Sequence, residues 1–284
     1  MYLRLVLKRI LFFICRINPI CRTVTFTCNL CGNRNRSPLS VVKGRETKSC
    51  YHCGSTLRFR SIIHVLSTEL LGESTILKDF PINKDIRGIG LTGSELYSHS
   101  LERIFNYQNT YYHKEPKLDI TDIREYNRDS NDFIIASDVF EHVRPPVSIP
   151  FKNLFELLKP NGICVLSVPL GEGKETIEHF PELYNFQIIK QGKKTILHNK
   201  SKEGRDQYFE NLRFHGGDGS TLEMRIFSKK FLIEAAQASS FKDYKIYNDN
   251  VSKYGIYWEA YSSFPITFRK STINQNKIEN RNNP

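Results

Sequence analysis

Four of the seven cysteines in this 284-residue chain occur as two C-x2-C pairs, CNLCG and CYHCG. The first pair ends at Cys31 and the second begins at Cys50, a spacing typical of four-thiolate zinc sites. So short a segment cannot build a core of its own, and a bound ion stabilises it instead. The pattern predicts a structural Zn²⁺ ion in a zinc-ribbon module over residues 23–60, with a disulfide pair, typical of secreted chains, as the alternative. The predicted ligands are Cys28, Cys31, Cys50 and Cys53.

Positive charge is concentrated in the N-terminal part of the chain, residues 1–60. This range contains twelve Lys or Arg and one acid, Glu46, whereas the rest of the chain contains equal numbers of basic and acidic side chains. The whole net charge of +11 therefore arises in this segment. Such a charge predicts an anionic partner, namely phospholipid, nucleic acid or a phosphorylated substrate, and a basic surface without a dedicated partner is the alternative. Arg58 and Arg60 are interpreted as the solvated start of a helix rather than as a phosphate site.

Residues 1–22 are apolar but interrupted by Arg4, Lys8, Arg9 and Arg16. No stretch reaches the roughly 18 apolar residues that a membrane span needs. The short apolar run lacks a small-residue cleavage site, which argues against a signal peptide. We predict a basic amphipathic helix on an anionic membrane surface, with a first helix packed on the protein body as the alternative. The predicted location is the cytoplasm, peripheral on the inner face of the membrane.

From residue 85 onward, short apolar runs alternate with helix-like patterns. This alternation predicts an α/β fold with a parallel sheet and helices on its faces, in which ligands bind at the carboxyl ends of the strands. The predicted strands are residues 86–91, 109–115, 133–137 and 163–170, and the predicted helices are residues 94–105 and 150–162.

The first of these strands enters a G-x-G-x-x-G sequence formed by Gly88, Gly90 and Gly93. Glycines at a strand end allow close approach of a nucleotide cofactor, and an acid about 20 residues further on can bind its ribose hydroxyls. Glu115 lies at about that separation from Gly93, at the end of the next predicted strand, and Asp119 follows. The pattern favours an adenosine cofactor, with a plain glycine-rich turn as the alternative.

Two longer motifs indicate which cofactor this is. The sequences DFIIASDVFEHV and LFELLKPNGICVLSVP resemble the fourth-strand and fifth-strand regions of compact class I S-adenosylmethionine-dependent methyltransferases. The sequence TLEMRIFSKKFLIEAAQASSF and the aromatic strands after it resemble the family's last helix and closing hairpin. A zinc module ahead of such a domain also looks like a recurrent bacterial combination.

The resemblance implies a Rossmann-like, doubly wound, mainly parallel sheet closed by an antiparallel hairpin. The methyltransferase domain is then expected at residues 61–270, with an insertion at about 171–224. The polar tail, residues 271–284, is predicted to be disordered.

The resemblance also implies a cofactor site. S-adenosylmethionine is expected over the three glycines, with its ribose on Glu115 and its adenine near Asp119 and Ile120. Asp138 and Glu141 are expected beside the methionine end.

Two features depart from the family. Arg87 stands where the family has an acid before the first glycine, and the interval from Gly88 to Asp132 is short enough that one helix of the usual set is expected to be missing. His142 and His215 are candidate general bases, with a hydrogen-bonded structural role as the alternative for each.

The methyl acceptor is not readable from the motifs. A glycan or lipid-linked saccharide intermediate, reached from the membrane face, is the first expectation. RNA, held by the zinc module through its phosphates, is the second. A non-catalytic scaffold is the third.

Overall fold

The computed structural model of the protein describes residues 22–192, 194–215, 221–259 and 263–271. Most of the predicted membrane segment, residues 1–22, and of the predicted disordered tail, residues 271–284, lies outside the described residues. Within the described ranges, no helix has both the length and the apolar character needed to cross a bilayer.

The described chain begins with a small hairpin module. Its elements are β1 (Thr23–Thr27), β2 (Arg34–Pro38), the short helix α1 (Leu39–Val42) and the longer helix α2 (Leu57–Leu71). Strands β1 and β2 pair antiparallel. The side chain of Thr56 caps α2 by accepting a hydrogen bond from the backbone N–H of Phe59. Because α2 begins at Leu57, the predicted module boundary at residue 60 falls inside this helix.

Four strands then form the parallel part of the main sheet. They are β3 (Asn83–Leu91), β4 (Phe105–Thr110), β5 (Asn131–Ser137) and β6 (Leu158–Ser167), with helix α3 (Glu95–Ile104) between β3 and β4 and helix α4 (Ser148–Leu157) between β5 and β6. Strand β3 pairs parallel with both β4 and β5, and β5 pairs parallel with β6. Ser94 caps α3 as predicted, accepting from the N–H of Leu96.

The predicted insertion folds into small strands. They are β7 (Ile177–Glu178), β8 (Asn185–Gln191), β9 (Lys194–Lys200), β10 (Asp206–Phe209), β11 (Phe214–His215), β12 (Thr221–Leu222) and β13 (Arg225–Ile226). Strands β8, β9 and β10 form an antiparallel sheet, while β11 pairs with β12 and β7 with β13. The insertion has a small core of its own around Phe180, Leu197 and Met224.

The chain closes the main sheet with helix α5 (Lys229–Ala238) and the strands β14 (Asp243–Ile246) and β15 (Ile266–Arg269). The strand order is β14-β15-β6-β5-β3-β4, and β15 runs antiparallel to both β6 and β14. This mixed sheet has the Rossmann-like arrangement and the antiparallel closing hairpin that the sequence predicts.

Strand β5 is buried on both faces. Ile134 and Ala136 belong to the core on the side of α4 and α5, whereas Phe133 and Ile135 belong to the core on the side of α2 and α3. Alternate residues of a strand point to opposite faces, so this division shows that helices cover both sides of the sheet. Cys28 shares the second core, so the hairpin module packs directly on the sheet.

One predicted strand is misplaced. Residues 109–115 were expected to be extended up to Glu115, but β4 ends at Thr110 because α3 ends at Ile104 and the strand begins directly afterwards. Residues 111–130, all described, contain no helix or strand. This confirms the prediction that one helix of the usual set is missing before Asp132. In the strand order, β4 is the last strand and forms one edge of the main sheet.

Candidate active site

Asp138 follows the last residue of β5 and is the centre of a charged cluster. Its backbone has a positive φ of 55°, a conformation that is unusual for a residue other than glycine and is often found at functional sites. Arg45 binds the carboxylate through both guanidinium arms, at 2.6 and 2.9 Å, and Arg58 lies 3.3 Å away. Burial alone would raise the pKa of Asp138, but the hydrogen-bonded guanidinium of Arg45 holds it below its usual range. Asp138 is therefore an anion at neutral pH.

Both arginines come from the N-terminal module. Arg45 also donates to Ser167 Oγ at 2.9 Å, at the end of β6, and Arg58 donates to Ser137 Oγ at 3.0 Å, at the end of β5. The module therefore reaches the carboxyl ends of the two central strands, which sequence reasoning missed. Arg60, expected to be solvated, is fully buried, and its guanidinium donates to backbone carbonyls.

Glu141 lies in a turn of 3₁₀ helix (Phe140–His142) and is fully buried. Neither of its carboxylate oxygens has a hydrogen-bond partner among the described residues. Burial, together with the nearby charge of Asp138, raises the pKa of Glu141 well above its usual range. An unpaired carboxyl group in this position indicates a site for something other than protein atoms.

His142 and His215 meet at Glu141, although they are far apart in the chain. His142 Nε2 is 3.6 Å and His215 Nδ1 is 3.5 Å from Glu141 Oε1, and the two rings contact each other edge to face. The other nitrogen of each ring is held, His142 Nδ1 by the Leu222 carbonyl at 2.8 Å and His215 Nε2 by Glu223 at 3.0 Å. Burial lowers the pKa of His142, so its ring is neutral at pH 7.

The end of the insertion fixes this turn in place. Buried Arg225 donates to the carbonyls of Phe140 and Val143 at 2.9 and 2.6 Å, and its Nε donates to Glu178 at 2.6 Å. The N–H of Met224 donates to the Glu141 carbonyl at 2.8 Å. The insertion therefore both supplies His215 and positions Glu141 and His142, a role that no sequence motif indicated.

The glycines of the G-x-G-x-x-G sequence make room for neighbouring side chains. A Cβ on Gly88 would lie 2.2 Å from the ring of Phe133, and one on Gly90 would lie 1.9 Å from the hydroxyl of Tyr107. Both glycines are inside β3 rather than in the loop after it. Their packing role is clear from these contacts, while contact with a cofactor stays a prediction.

The loop around Gly93 is better suited than Gly88 and Gly90 to contact a ligand. Asn109, which sequence reasoning missed, holds it by accepting from the Gly93 N–H at 2.8 Å and donating to the Gly93 carbonyl at 2.9 Å. A Cβ on Gly93 would lie 3.1 Å from the Tyr97 hydroxyl and 3.2 Å from the Tyr107 hydroxyl. Both hydroxyls are buried and have no partner among the described residues. These unpaired groups fit a polar ligand at the carboxyl end of β3.

The residues predicted to hold the adenosine half make local contacts. Glu115 is exposed and accepts from the Lys117 N–H at 3.0 Å, and Asp119 accepts from the N–H and hydroxyl of Thr121. Ile120 is buried in the core. Their cofactor roles stay predictions.

A cavity of about 630 Å³ lies along the edge strand β4, and Tyr107 and Asn109 beside Gly93 line it. Of the predicted cofactor residues, only Gly88 lines it. We place the site at Asp138 and Glu141 instead, because ligands of open α/β sheets bind at the carboxyl ends of the strands.

The four paired cysteines form a separate cluster. The Sγ atoms of Cys28 and Cys53, and those of Cys31 and Cys50, are 3.7 Å apart. These distances are far longer than a disulfide bond, and all four thiols are free, so the disulfide alternative is wrong for this structure. The glycine after each pair has a positive φ, 78° and 73°, which lets both turns point their thiols at one position.

Comparison with known proteins identifies the family. A family model described as a methyltransferase domain matches residues 82–243. No curated protein matches the chain.

Several solved structures are distantly similar. The sugar N-methyltransferase of Streptoalloteichus sp is 8% identical, with 78% of this chain and 89% of that chain covered and a TM-score of 0.44. The 1,6-didemethyltoxoflavin-N1-methyltransferase of Burkholderia thailandensis, with S-adenosylhomocysteine bound, is 12% identical, with coverages of 82% and 84% and a TM-score of 0.39. An S-adenosylmethionine-dependent methyltransferase of Clostridium acetobutylicum is 12% identical, with coverages of 65% and 83% and a TM-score of 0.38.

The family match covers more than half of the chain and includes β3 to β6, the 3₁₀ turn with Glu141 and the insertion with His215. The chain therefore belongs to the methyltransferase-domain family, and the protein is an S-adenosylmethionine-dependent methyltransferase.

Proposed function

We propose that the protein methylates a hydroxyl group of a glycan or lipid-linked saccharide intermediate. The observation that carries this proposal is the pair of histidines at Glu141, beside Asp138 and at the carboxyl end of β5. A hydroxyl acceptor must lose its proton when its oxygen is methylated, and the unprotonated imidazole of His142 provides a proton acceptor at the site.

The site fits the methyl donor in its polar groups. The unpaired hydroxyls of Tyr97 and Tyr107 behind Gly93, and the carboxylate of Asp138, would hold it between β3 and β5. S-Adenosylmethionine, when bound, supplies a methyl group activated by the sulfonium centre. The contribution of the protein is then to orient the acceptor oxygen in line with that methyl group.

Each histidine is set to accept a proton. The Leu222 carbonyl can only accept a hydrogen bond, so Nδ1 of His142 carries the hydrogen and Nε2 presents its lone pair. Glu223 has the same effect on His215, where Nε2 donates and Nδ1 is turned towards Glu141. Since the pKa of His142 is lowered, its ring stays unprotonated and ready to act at neutral pH.

Arg45, Arg58 and Arg60 favour a saccharide acceptor over RNA, whereas Arg34 and Arg36 of the same module are exposed. Arg45 and Arg58 are only 20% and 17% exposed and pair with Asp138, and Arg60 is fully buried. Arginines that grip an RNA backbone must reach phosphates at the surface. In the described part of the module, these three side chains bind other groups of the protein instead.

The experiment is a transfer assay with S-adenosylmethionine labelled in its methyl group. Acceptors would be lipid-linked saccharides, sugar nucleotides and total RNA. We expect label in a saccharide fraction and a loss of about 10²- to 10⁴-fold in kcat for His142→Ala and for His215→Ala. His198→Ala, which removes a half-buried histidine from the interior of β9, is the control. Label in RNA alone would contradict the saccharide proposal, and failure to bind the donor would indicate a scaffold.

We also infer that the four cysteines hold one structural zinc ion. A tetrahedral site with Zn–S bonds of about 2.3 Å has S···S edges of about 3.8 Å. The two 3.7 Å separations fit that geometry. With four thiolates and no open position, such an ion stabilises the module and takes no part in the reaction.

A further inference from the structure

The buried carboxylate of Glu141 lacks a counterpart in the described protein. Its side chain is 0% exposed, and neither oxygen accepts a hydrogen bond from a described residue. Buried carboxylates are normally paired with a cation or satisfied by several donors, because removing the charge from water is costly. Asp138, three residues earlier, has such a partner in Arg45, and among the described residues Glu141 has none.

Two ring nitrogens that face this carboxylate are themselves acceptors. His142 Nε2 and His215 Nδ1 approach Glu141 Oε1 to 3.6 and 3.5 Å, longer than ordinary hydrogen bonds. The hydrogen bonds to the Leu222 carbonyl and to Glu223 place the ring hydrogens on the far nitrogens. Two nitrogen lone pairs and a carboxylate therefore converge, with all three ligand atoms within 4.8 Å of one another. Such an arrangement is complementary to a cation.

The hydrogen-bond partners of the two histidine rings are of the kind found around metal-bound histidines. In metal sites, the ring nitrogen remote from the ion typically donates to a carboxylate or a backbone carbonyl, which fixes the tautomer. His215 has the carboxylate and His142 the carbonyl. Glu223 is itself held by His179 Nε2 at 3.1 Å.

We propose that Glu141, His142 and His215 bind a divalent first-row transition-metal ion, of the kind exemplified by Mn²⁺ or Fe²⁺. Two imidazoles and one carboxylate form a set that binds such ions and leaves coordination positions open. The nitrogen ligands distinguish this site from magnesium and calcium sites, which use oxygen. The proposal that a metal ion binds here does not depend on the proposed function. Its role, which rests on the proposed function, is to coordinate the acceptor hydroxyl and lower the pKa of its proton, which then passes to solvent. With the metal bound, the two histidines are ligands, and they accept the proton only in the metal-free site.

The test is a Mn²⁺ titration of the purified full-length protein, followed by the electron paramagnetic resonance signal of free Mn²⁺. Mn²⁺ binds less tightly than zinc to a given site and thiolates do not favour it, so the cysteine cluster does not interfere. We expect one Mn²⁺ bound per chain. Glu141→Gln and His215→Ala should weaken binding by more than about 100-fold, and Glu223→Gln by about 10- to 100-fold, the usual effect of losing an outer hydrogen-bond partner.

His198→Ala is the matched control, because His198 also pairs with a carboxylate, that of Asp206 at 2.7 Å, but lies away from the cluster on β9. It should bind Mn²⁺ like the unaltered protein. Thermal unfolding of each variant checks folding, and His215, 38% exposed, decides the result if Glu141→Gln does not fold.

Two results would overturn the proposal. One is the absence of Mn²⁺ binding up to millimolar concentration, which would mean that a proton and not a metal links these side chains. The other is unchanged binding in both Glu141→Gln and His215→Ala. Neither result depends on methyl transfer, so the proposed function would stand or fall separately, in the labelled-methyl assay.

Discussion

Asp138 and Glu141 are carboxylic acids three positions apart whose pKa values move in opposite directions. Arg45 keeps Asp138 charged, whereas burial without a partner among the described residues raises the pKa of Glu141. Such divergent environments are typical of sites where two acids have different roles. In the proposed function, Asp138 provides a fixed negative charge beside the methyl donor, and Glu141 contacts a ligand.

Arg45→Lys tests how far Asp138 depends on its partner. Lysine keeps the charge but cannot bind both carboxylate oxygens and Ser167 at once. Losing charge-assisted hydrogen bonds costs about 1.5–3 kcal/mol, so we expect kcat/KM to fall roughly 10- to 100-fold in the methyl-transfer assay. Arg36→Lys, an exposed arginine of the same module, should have no effect. Equal activity of the two variants would show that Arg45 only stabilises the fold.

Glu115→Ala tests the predicted ribose contact. If this carboxylate binds the ribose hydroxyls, calorimetric titration with S-adenosylmethionine should show an affinity about tenfold lower or more, equivalent to about 1.5–3 kcal/mol. Exposed Glu73, on a different surface loop, provides the control variant Glu73→Ala. Unchanged affinity in Glu115→Ala would mean that the strand alignment behind the prediction is wrong, in keeping with the early end of β4.

His64 gives the folded protein a pH dependence of its own. Burial, reinforced by Lys253 and Lys245, lowers its pKa to about 4. Its ordinary value in an unfolded chain is about 6.5, so between those values the unfolded state binds a proton that the folded state does not. The free energy of unfolding should therefore decrease as the pH falls through this window. Urea unfolding at several pH values should show a smaller decrease for His64→Gln, and parallel curves for the two proteins would contradict the assignment.

At the scale of elements, the two cysteine turns are matched. In each, the glycine N–H donates to the carbonyl of the first cysteine, at 2.7 Å for Gly32 and 2.9 Å for Gly54. We expect about one zinc ion per chain, apart from any metal at Glu141, and expect Cys28→Ser/Cys50→Ser to lose it. Because Cys28 and Cys50 belong to the core shared with α2, the variant should also unfold at a lower temperature. Elemental analysis of the unaltered protein and of the double variant measures the bound zinc. Zinc retained in the double variant would exclude these ligands.

The elements that the sequence predicts best are those with strong local signals. Apolar β-branched runs mark β5 and β6, and a serine cap marks the start of α3. Strand β4 is less predictable, because its buried residues Asn109 and Thr110 are polar and the strand begins directly where α3 ends.

The site is predictable only in part. Asp138, Glu141 and His142 are close in sequence to a recognisable strand. Arg45 and Glu223 reach the site from distant parts of the chain, and local pattern carries no information about such contacts.

At the scale of the whole molecule, the basic side chains of residues 1–60 differ in what they contact. Within the described part of the N-terminal module, Arg45, Arg58 and Arg60 are turned towards the protein and serve the site and the core. The segment at residues 1–22 contains five further Arg or Lys and no acid, among Leu, Ile and Phe. Arg34, Arg36 and Lys48 of the module are exposed as well, but the N-terminal segment combines its basic charge with apolar side chains, a combination that suits an anionic membrane surface.

We therefore predict that residues 1–22 attach the protein peripherally to anionic membranes. Each basic residue near such a surface contributes on the order of 1 kcal/mol, and apolar side chains add burial at the headgroup boundary. Salt screens the charge contribution within a Debye length of about 10 Å at 0.1 M. Sedimentation with anionic vesicles should be strong at low salt, weaker at high salt, and lost on deletion of residues 1–22. Neutral vesicles are the control. Attachment that resists salt would indicate a span, a truncated protein that is unstable yet still sediments would indicate a packed helix, and equal sedimentation of both proteins would exclude the anchor.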